Sequence, residues 1–225
     1  VGNRTVRGLE ALSLCLPPSS GESIIKRPHN TGLFSVGSLL QKEGYHVQFL
    51  YGGDSYFDNM GEFFSGNGYG VVDKKNFKPD EIKFANIWGV CDEDAYGKLL
   101  SVADEDARGG RPFFVNLMTI SNHRPYTFPA GKIHLEKGNV KSRNGGVKYT
   151  DYALGEFLKA ARSKSWFKET VFVIVADHCA SSAGATDIPV DDYHIPALVY
   201  SPQFLQPRRA SPPCSLLDLI QKMIS

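Results

Sequence analysis

Two near-continuous apolar runs place the strongest limit on the fold of this chain. Residues 112–121 read PFFVNLMTIS and residues 171–176 read VFVIVA, and between them KYTDYALGEFLKAARSKSWF has helical spacing of its apolar side chains. A short apolar run without polar alternation is typical of a strand buried on both faces, as strands of parallel sheets are. The sequence therefore predicts a strand, a helix and a second strand in succession.

The same alternation extends over the rest of the chain. It predicts helices over residues 5–14, 33–43, 55–65, 94–107 and 215–224, and further strands over residues 46–51 and 195–200. Strands that alternate with helices indicate an α/β fold with a mostly parallel sheet and helices on both faces. The Pro- and Gly-rich stretches 17–32 and 125–146 are predicted as long loops, which in such folds often carry function.

Composition excludes several classes of partner. With 25 basic and 24 acidic side chains the net charge is +1, so no broad cationic surface is expected to attract nucleic acid or an anionic membrane. Any selectivity for anions is therefore expected to be local. No apolar run approaches the roughly 20 residues of a membrane-spanning helix, and the first residues do not resemble a signal peptide. The four cysteines lack metal-site spacing; two disulfides and unpaired thiols both remain open.

Polar side chains follow the carboxyl ends of two predicted strands. In parallel α/β sheets, ligands bind beyond the carboxyl ends of the strands. Asp177 and His178 come directly after VFVIVA, and they offer a carboxylate oxygen and an imidazole nitrogen to a divalent cation. The alternative is a capping aspartate beside a hydrogen-bonded histidine. His123 and Arg124 follow the other run and could hold an anionic oxygen, although an incidental histidine in a surface loop is an equal alternative.

Thr5 stands where the first predicted helix begins. The free N–H groups and the dipole at a helix N-terminus would favour an alkoxide or a bound phosphate there. The alternative is an ordinary threonine N-cap, which sequence alone favours.

Five segments carry a family resemblance in combination. They are GNRTVRGLEALSLCLPPSSGESIIKRP, WGVCDED, SNHRPYTFP, ADHCASSAG and YHIPALVYSP. Together they resemble the sulfatase-like phosphoglycerol transferases of the alkaline phosphatase superfamily, which include lipoteichoic acid synthase, and most closely the Gram-negative branch. The resemblance runs from residue 1 to about residue 220 and implies one alkaline phosphatase-like catalytic domain over residues 1–225.

The resemblance also implies a catalytic centre. Asp177 and His178 match two ligands of a divalent cation, usually Mn²⁺, with Mg²⁺ or Zn²⁺ as alternatives. Thr5 matches the nucleophilic threonine, whose oxygen also binds the metal. His123 matches a histidine that contacts the substrate phosphate and the leaving oxygen, and it counts as catalytic.

Further residues map to the substrate pocket. The resemblance implies substrate-binding roles for five of them: Tyr51, Asp54, Arg124, Ser182 and His194. In the loop that follows Asp54, Asp58 and Met60 stand where lipoteichoic acid synthase has a tryptophan and an arginine, so the head-group contacts are expected to differ.

The family's remaining metal ligand is a glutamate that precedes the threonine by some tens of residues. Since the sequence begins four residues before Thr5, we expect it to be an N-terminally truncated fragment that lacks the first strand and the upstream membrane helices. Such a fragment is expected to bind metal weakly and to be inactive. Its oligomeric state is left open, and pairing of two copies at an exposed sheet edge is one possibility.

The implied reaction transfers phosphoglycerol from a phospholipid such as phosphatidylglycerol to a periplasmic glycan or glycerol acceptor, through a phospho-threonine. The implied location is the extracytoplasmic side of a bacterial inner membrane. Three alternatives remain: a phosphoethanolamine transferase, a sulfatase, and a non-catalytic binding domain. The sulfatase motif C-x-P-x-R is matched only in part by CLPPS, residues 15–19, because Ser19 replaces the arginine.

Overall fold

A three-stranded parallel sheet is the central feature of the computed structural model, which describes residues 4–180, 190–209 and 214–219. Its strands are β1 (His46–Tyr51), β2 (Gly70–Val72) and β5 (Phe113–Met118), in the order β2-β1-β5. The register pairs His46 with Phe113 and Tyr51 with Met118. Both neighbours of β1 run parallel to it, so the predicted α/β fold is confirmed.

The described residues divide into two compact units. The first holds residues up to 39, residues 58–68 and those from 168 onward, and the second holds residues 40–57 and 69–167. The helices are α1 (Thr5–Leu14), α2 (Val36–Lys42), α3 (Met60–Ser65), α4 (Asp92–Arg108) and α5 (Arg143–Ala161). The remaining strands are β3 (Ala85–Asn86), β4 (Gly89–Val90), β6 (Phe172–Val175) and β7 (Ala197–Tyr200).

The core of the second unit lies between the parallel sheet and α4. Leu50 of β1 and Ala95 of α4 are buried together with Phe77 and Val90. Three acidic residues occupy the first turn of α4, where they complement the helix dipole, and Gly109 caps its end. Helix α5 packs on α4 through the stacked rings of Tyr96 and Phe157, whose centroids are 4.8 Å apart.

In the first unit, α1 packs on a two-stranded sheet. Strands β6 and β7 pair antiparallel, with Phe172 opposite Tyr200. Ala11 of α1 is buried with Leu216 and Leu219, against a set of apolar side chains from both strands. Residues 216–219 are helical, while the other residues of the C-terminal helix predicted over 215–224 are Ser215, which precedes the helix, and residues outside the described part of the chain.

The long loop that follows α1 is anchored by a buried carboxylate. Glu10 is buried; it pairs with Arg7 at 3.2 Å and accepts a hydrogen bond from the backbone N–H of Ile24. The Arg7 guanidinium also donates to the Ser19 carbonyl at 3.0 Å. Predicted as a loop, residues 17–32 therefore lie fixed against α1 and contain only one short 3-10 helix, Ile24–Lys26.

Several expectations need correction. Helix α2 begins at Val36 rather than near residue 33, and α5 takes up residues 143–146 of the predicted second loop. Strand β2 and the β3–β4 hairpin were not predicted. Strand β7 joins β6 antiparallel, outside the parallel sheet. All four cysteines are described, and the structure joins none of them in a disulfide. Among the described helices, none combines the length and apolarity that a bilayer crossing requires.

Candidate active site

Helix α1 presents Thr5 at its N-terminus. Thr5 is the first helical residue and is half-buried, while the N-cap is Arg4, in extended conformation. The alternative of Thr5 as an ordinary N-cap is therefore not what the structure contains. No acidic residue lies in the first turn of α1, so the positive end of the helix dipole is available to an anion.

A close backbone contact joins α1 to the residues that follow β6. A Cβ atom placed on Gly8 would lie 2.1 Å from the carbonyl oxygen of Asp177. Only glycine allows so close an approach of a helix to another backbone segment. Thr5 and Gly8 are three residues apart and share a helix face. This contact therefore places the first turn of α1, which carries Thr5, near the backbone of Asp177.

Hydrogen bonds to the backbone orient the side chains of Asp177 and His178. Oδ1 of Asp177 accepts a hydrogen bond from the backbone N–H of His178 at 3.0 Å, and its Oδ2 lies 3.5 Å from His178 Nε2. His178 Nδ1 is 2.6 Å from the Cys179 carbonyl oxygen. Because a carbonyl oxygen only accepts, Nδ1 carries the hydrogen and Nε2 keeps the lone pair in the neutral ring.

This arrangement fits two neighbouring ligands of one divalent cation. Ligand bonds of about 2.1 Å to a tetrahedral ion place neighbouring donor atoms roughly 3.4 Å apart, close to the observed 3.5 Å. A histidine ligand typically donates its other ring N–H to a backbone carbonyl, as His178 does to Cys179. Within the described ranges, no group of three or more His, Cys, Asp or Glu residues is placed to hold a metal. The role of Thr5 as a further donor stays a prediction.

The second unit holds His123 and Arg124, both exposed, just beyond β5. His123 Nδ1 lies 2.8 Å from the Arg124 carbonyl oxygen, so this nitrogen donates and Nε2 keeps the lone pair of the neutral ring. Trp88 Nε1 donates to the same carbonyl at 2.7 Å, and the Trp88 ring meets the His123 ring edge to face, with centroids 4.5 Å apart. Trp88 therefore fixes the orientation of the His123 ring.

A buried carboxylate holds the backbone before His123. Asp92 is fully buried, and its Oδ1 accepts hydrogen bonds from the backbone N–H groups of Ile120 (3.1 Å) and Ser121 (2.8 Å). Thr150 donates to Oδ2 at 3.0 Å. Burial raises the pKa of the Asp92 carboxyl, and these hydrogen bonds oppose the rise. The segment that carries His123 is thus tied to α4 and α5.

Comparison with known proteins identifies the family of this chain. A family model described as sulfatase matches residues 1–225. The chain belongs to the sulfatase family. Phosphoglycerol transferase I from Xanthomonas axonopodis pv. citri (strain 306) is 24% identical over 204 residues, which cover 82% of this chain and 28% of that protein. Its namesake from Citrobacter koseri is 25% identical over 153 residues, which cover 64% of this chain and 20% of that protein.

Solved structures support the same placement. A protein in the alkaline phosphatase superfamily from Vibrio parahaemolyticus is 41% identical, with a TM-score of 0.93 over 99% of this chain and 54% of that one. The lipoteichoic acid synthase LtaP from Listeria monocytogenes, at 22% identity and a TM-score of 0.78 over 92% of this chain and 55% of that one, shares the fold. The sulfatase-family chain thus spans about half of these structures and less than a third of the curated relatives.

The predicted head-group residues of this sulfatase-family chain differ in exposure. Tyr51 is buried, and its hydroxyl donates to the Trp88 carbonyl at 3.4 Å. Asp54 is exposed and lies 3.6 Å from the Lys75 ammonium. The backbone N–H of Tyr56 donates to Asp54 and holds the pKa of that carboxyl below its usual range. Contact with glycerol stays a prediction for both residues.

Ser182 and His194 are the other predicted pocket residues. His194 is exposed just before β7, and Ser182 lies outside the described residues. Cys15, the first residue of the partial sulfatase motif, is the left-handed C-cap of α1, at the opposite end of the helix from Thr5. Sequence reasoning missed Trp88 as a positioning residue, although its WGVCDED segment was one of the recognised motifs.

Proposed function

We propose that this sulfatase-family protein transfers a phosphoglycerol group from a phospholipid such as phosphatidylglycerol to a periplasmic glycan or glycerol acceptor. The observation that supports the proposal is the close approach of α1 at Gly8 to the backbone of Asp177, whose carboxylate lies 3.5 Å from His178 Nε2. The names of the curated relatives support the choice of group transferred. The proposed location is the extracytoplasmic side of a bacterial inner membrane.

The proposed reaction has two displacements at phosphorus. Thr5 Oγ1 attacks the phosphorus, a P–O bond forms, and the bond to the diacylglycerol oxygen breaks, leaving glycerophosphate on Thr5. An acceptor hydroxyl then attacks the same phosphorus and releases Thr5. A hydroxyl proton leaves in each step, and each departing oxygen gains one. The first-turn N–H groups of α1 favour the negative charge that develops near Thr5.

A divalent cation, most simply Mn²⁺, held by Asp177 Oδ2, His178 Nε2 and the Thr5 hydroxyl would supply charge that lowers the pKa of that hydroxyl. Cys179 keeps the His178 ring turned so that Nε2 is the ligand atom. His123 and Arg124 are proposed to contact the substrate phosphate.

The test is transfer from radiolabelled phosphatidylglycerol with Mn²⁺ present, alongside metal content. The 225-residue chain is compared with a version extended upstream along its gene, because the family resemblance predicts a glutamate ligand there. Label on a glycerol or glycan acceptor is expected from the extended version alone, where it is lost with EDTA and restored by Mn²⁺. Transfer from phosphatidylethanolamine alone would identify a phosphoethanolamine transferase. Metal-loaded, folded protein without any transfer would identify a binding domain.

Trp88 supplies a prediction about positioning. Changing Trp88→Phe removes the hydrogen bond to the Arg124 carbonyl, so we expect the His123 ring to lose its fixed orientation and kcat/KM to fall by about tenfold. Steady-state kinetics of the version extended upstream, with the phosphatidylglycerol donor, would measure this change. A fall in activity with little change in thermal stability separates positioning from unfolding.

The other tryptophan of the chain is the matched control. Trp166 Nε1 donates to Asp104 Oδ1 at 2.9 Å in the same unit, away from His123 along the sequence. Trp166→Phe loses an equivalent hydrogen bond, worth about 1 kcal/mol of stability, and should keep its kcat/KM. Equal kinetic losses in both variants would contradict the role given to Trp88.

A further inference from the structure

An exposed apolar rim lies in the second unit beside His123. Tyr56 is 87% exposed, Ile87 83% and Phe57 46%. Tyr56 and Ile87 are the chain neighbours of Phe57 and Trp88, whose rings are in contact, and the Trp88 ring contacts His123. We call Tyr56, Phe57, Ile87 and Trp88 the aromatic rim. Single exposed apolar residues are ordinary, but a contiguous group of large apolar side chains indicates a surface that binds something.

Ring contacts connect the rim to His123. The Phe57 and Trp88 rings meet edge to face at 5.6 Å, and the Trp88 and His123 rings at 4.5 Å. Ile87 and Trp88 form the two-residue turn of the β3–β4 hairpin, whose strands pair Asn86 with Gly89. The exposed side chains therefore border the residue proposed to contact the substrate phosphate.

The rim is held by backbone packing. Gly89 has φ +145, and a Cβ placed on it would lie 2.4 Å from the Gly52 carbonyl oxygen. The same carbonyl accepts a hydrogen bond from the backbone N–H of Val90 at 3.0 Å. These contacts fix the hairpin to the residue that follows β1, so Ile87 in the hairpin turn stays exposed to solvent.

Cations border the rim. Lys74 and Lys75 are exposed, and the Lys74 N–H donates to the Gly53 carbonyl at 2.9 Å, which places this basic turn against the loop that leads to Tyr56. Arg124 is exposed next to His123. One exposed acid, Asp54, pairs with Lys75. Apolar side chains bordered by lysine and arginine match the interface of an anionic bilayer, where aromatic rings sit among head groups.

We propose that the aromatic rim inserts into the interfacial layer of an anionic phospholipid membrane. This choice of occupant rests on the proposed function, since the phospholipid donor resides in such a surface. The acyl-bearing part of the donor would then lie toward Tyr56 and Ile87, and its phosphate toward His123 and Arg124.

A glycan is the competing occupant, because exposed aromatic rings also stack on sugars. Trp88 already contacts Phe57 and His123 through its ring and donates its Nε1–H to the Arg124 carbonyl. Ile87, one of the two most exposed members of the rim, has neither a flat face nor a polar group for a sugar. Lipid therefore fits the rim better than carbohydrate.

Vesicle co-sedimentation of the 225-residue chain tests the proposal. Vesicles of phosphatidylcholine alone are compared with vesicles that also contain phosphatidylglycerol, at low and high salt. Stronger binding to the anionic vesicles is expected, weakened by salt. The double variant Tyr56→Ser, Ile87→Ser should bind at least about tenfold more weakly, because both side chains lose their apolar contact with lipid.

Val147→Ser is the matched control. Val147 is 50% exposed on α5 of the same unit, and its loss should change vesicle binding by less than about twofold. Thermal melting establishes that both variants are folded. Failure of the wild-type chain to bind anionic vesicles, or equal binding by the double variant and the control, would overturn the proposal.

Two further readouts distinguish this proposal from the proposed function and from carbohydrate binding. Made in the version extended upstream, the double variant should transfer a short-chain, water-soluble phosphatidylglycerol as the wild type does, while its transfer from vesicles falls. Vesicle binding by a metal-loaded extended version without any transfer activity would remove the proposed function and leave the membrane surface standing. A double variant that binds vesicles normally but has a raised KM for the glycan acceptor would assign the rim to carbohydrate.

Discussion

In the version extended upstream, Thr5→Ala is expected to reduce phosphoglycerol transfer by at least about a thousandfold, because the variant lacks the oxygen that attacks phosphorus. Protein incubated with the phospholipid donor and digested should show, in the wild type alone, a peptide of residues near Thr5 carrying the mass of one glycerophosphoryl group. Mass spectrometry measures the adduct, and release of diacylglycerol measures the turnover.

Thr5→Ser is the control for this experiment. Serine keeps the hydroxyl, so transfer and the covalent adduct should persist, although slower. Neither change should unfold α1, because the N-cap residue of this helix is Arg4 rather than Thr5. Substantial turnover by the folded alanine variant would reject Thr5 as the nucleophile, and a normal adduct elsewhere in the chain would name its replacement.

Local sequence patterns predicted the elements that carry their own apolar face. Helix α1 was predicted over residues 5–14, the bounds that the structure gives, and β5 lies within its predicted apolar run. Strand β7 was predicted as a strand, but its antiparallel pairing with β6 was not. Pairing direction depends on how the intervening chain returns, and composition of the strand itself does not encode it.

In the candidate site too, some features could be predicted from the sequence and others could not. Residue type and position after a strand identified Asp177 and His178, because ligand chemistry belongs to the side chains themselves. The tautomer of His178 depends on a contact with the Cys179 carbonyl, and the orientation of His123 depends on Trp88, which lies on a distant hairpin. The first contact joins adjacent residues and depends on the local path of the backbone, and the second joins residues 36 positions apart. Neither leaves a periodic signal in the sequence.

Gly8 is another residue whose structural role the sequence alone does not show. It gives the second prediction with a large expected effect. As a helical glycine it reads in the sequence as a mild defect that costs about 1 kcal/mol relative to alanine. In the structure a Cβ at this position would lie 2.1 Å from the Asp177 carbonyl oxygen and 2.7 Å from its carbon. Backbone atoms cannot move aside as a flexible side chain can, so α1 or the Asp177 segment must shift.

Gly8→Ala should therefore be destabilising despite the better helix propensity, with a net loss of about 1–3 kcal/mol of unfolding free energy. The same shift moves Thr5 relative to Asp177 and His178, so transfer should fall by at least about a hundredfold. Urea unfolding measures the stability. In the version extended upstream, calorimetric titration with Mn²⁺ measures the metal affinity and the phosphatidylglycerol assay measures the activity.

Two other helical glycines provide matched controls. Gly97 in α4 and Gly155 in α5 have no atom within 4 Å of an added Cβ, so alanine should stabilise each helix by about 0.5–1 kcal/mol without loss of activity. If Gly8→Ala behaves as these two do, with unchanged Mn²⁺ affinity, then the close approach of α1 to Asp177 does not position the catalytic residues. An opposite sign of the stability change at Gly8 alone, together with the loss of transfer, would tie the Thr5 turn to the Asp177–His178 pair through this one backbone contact.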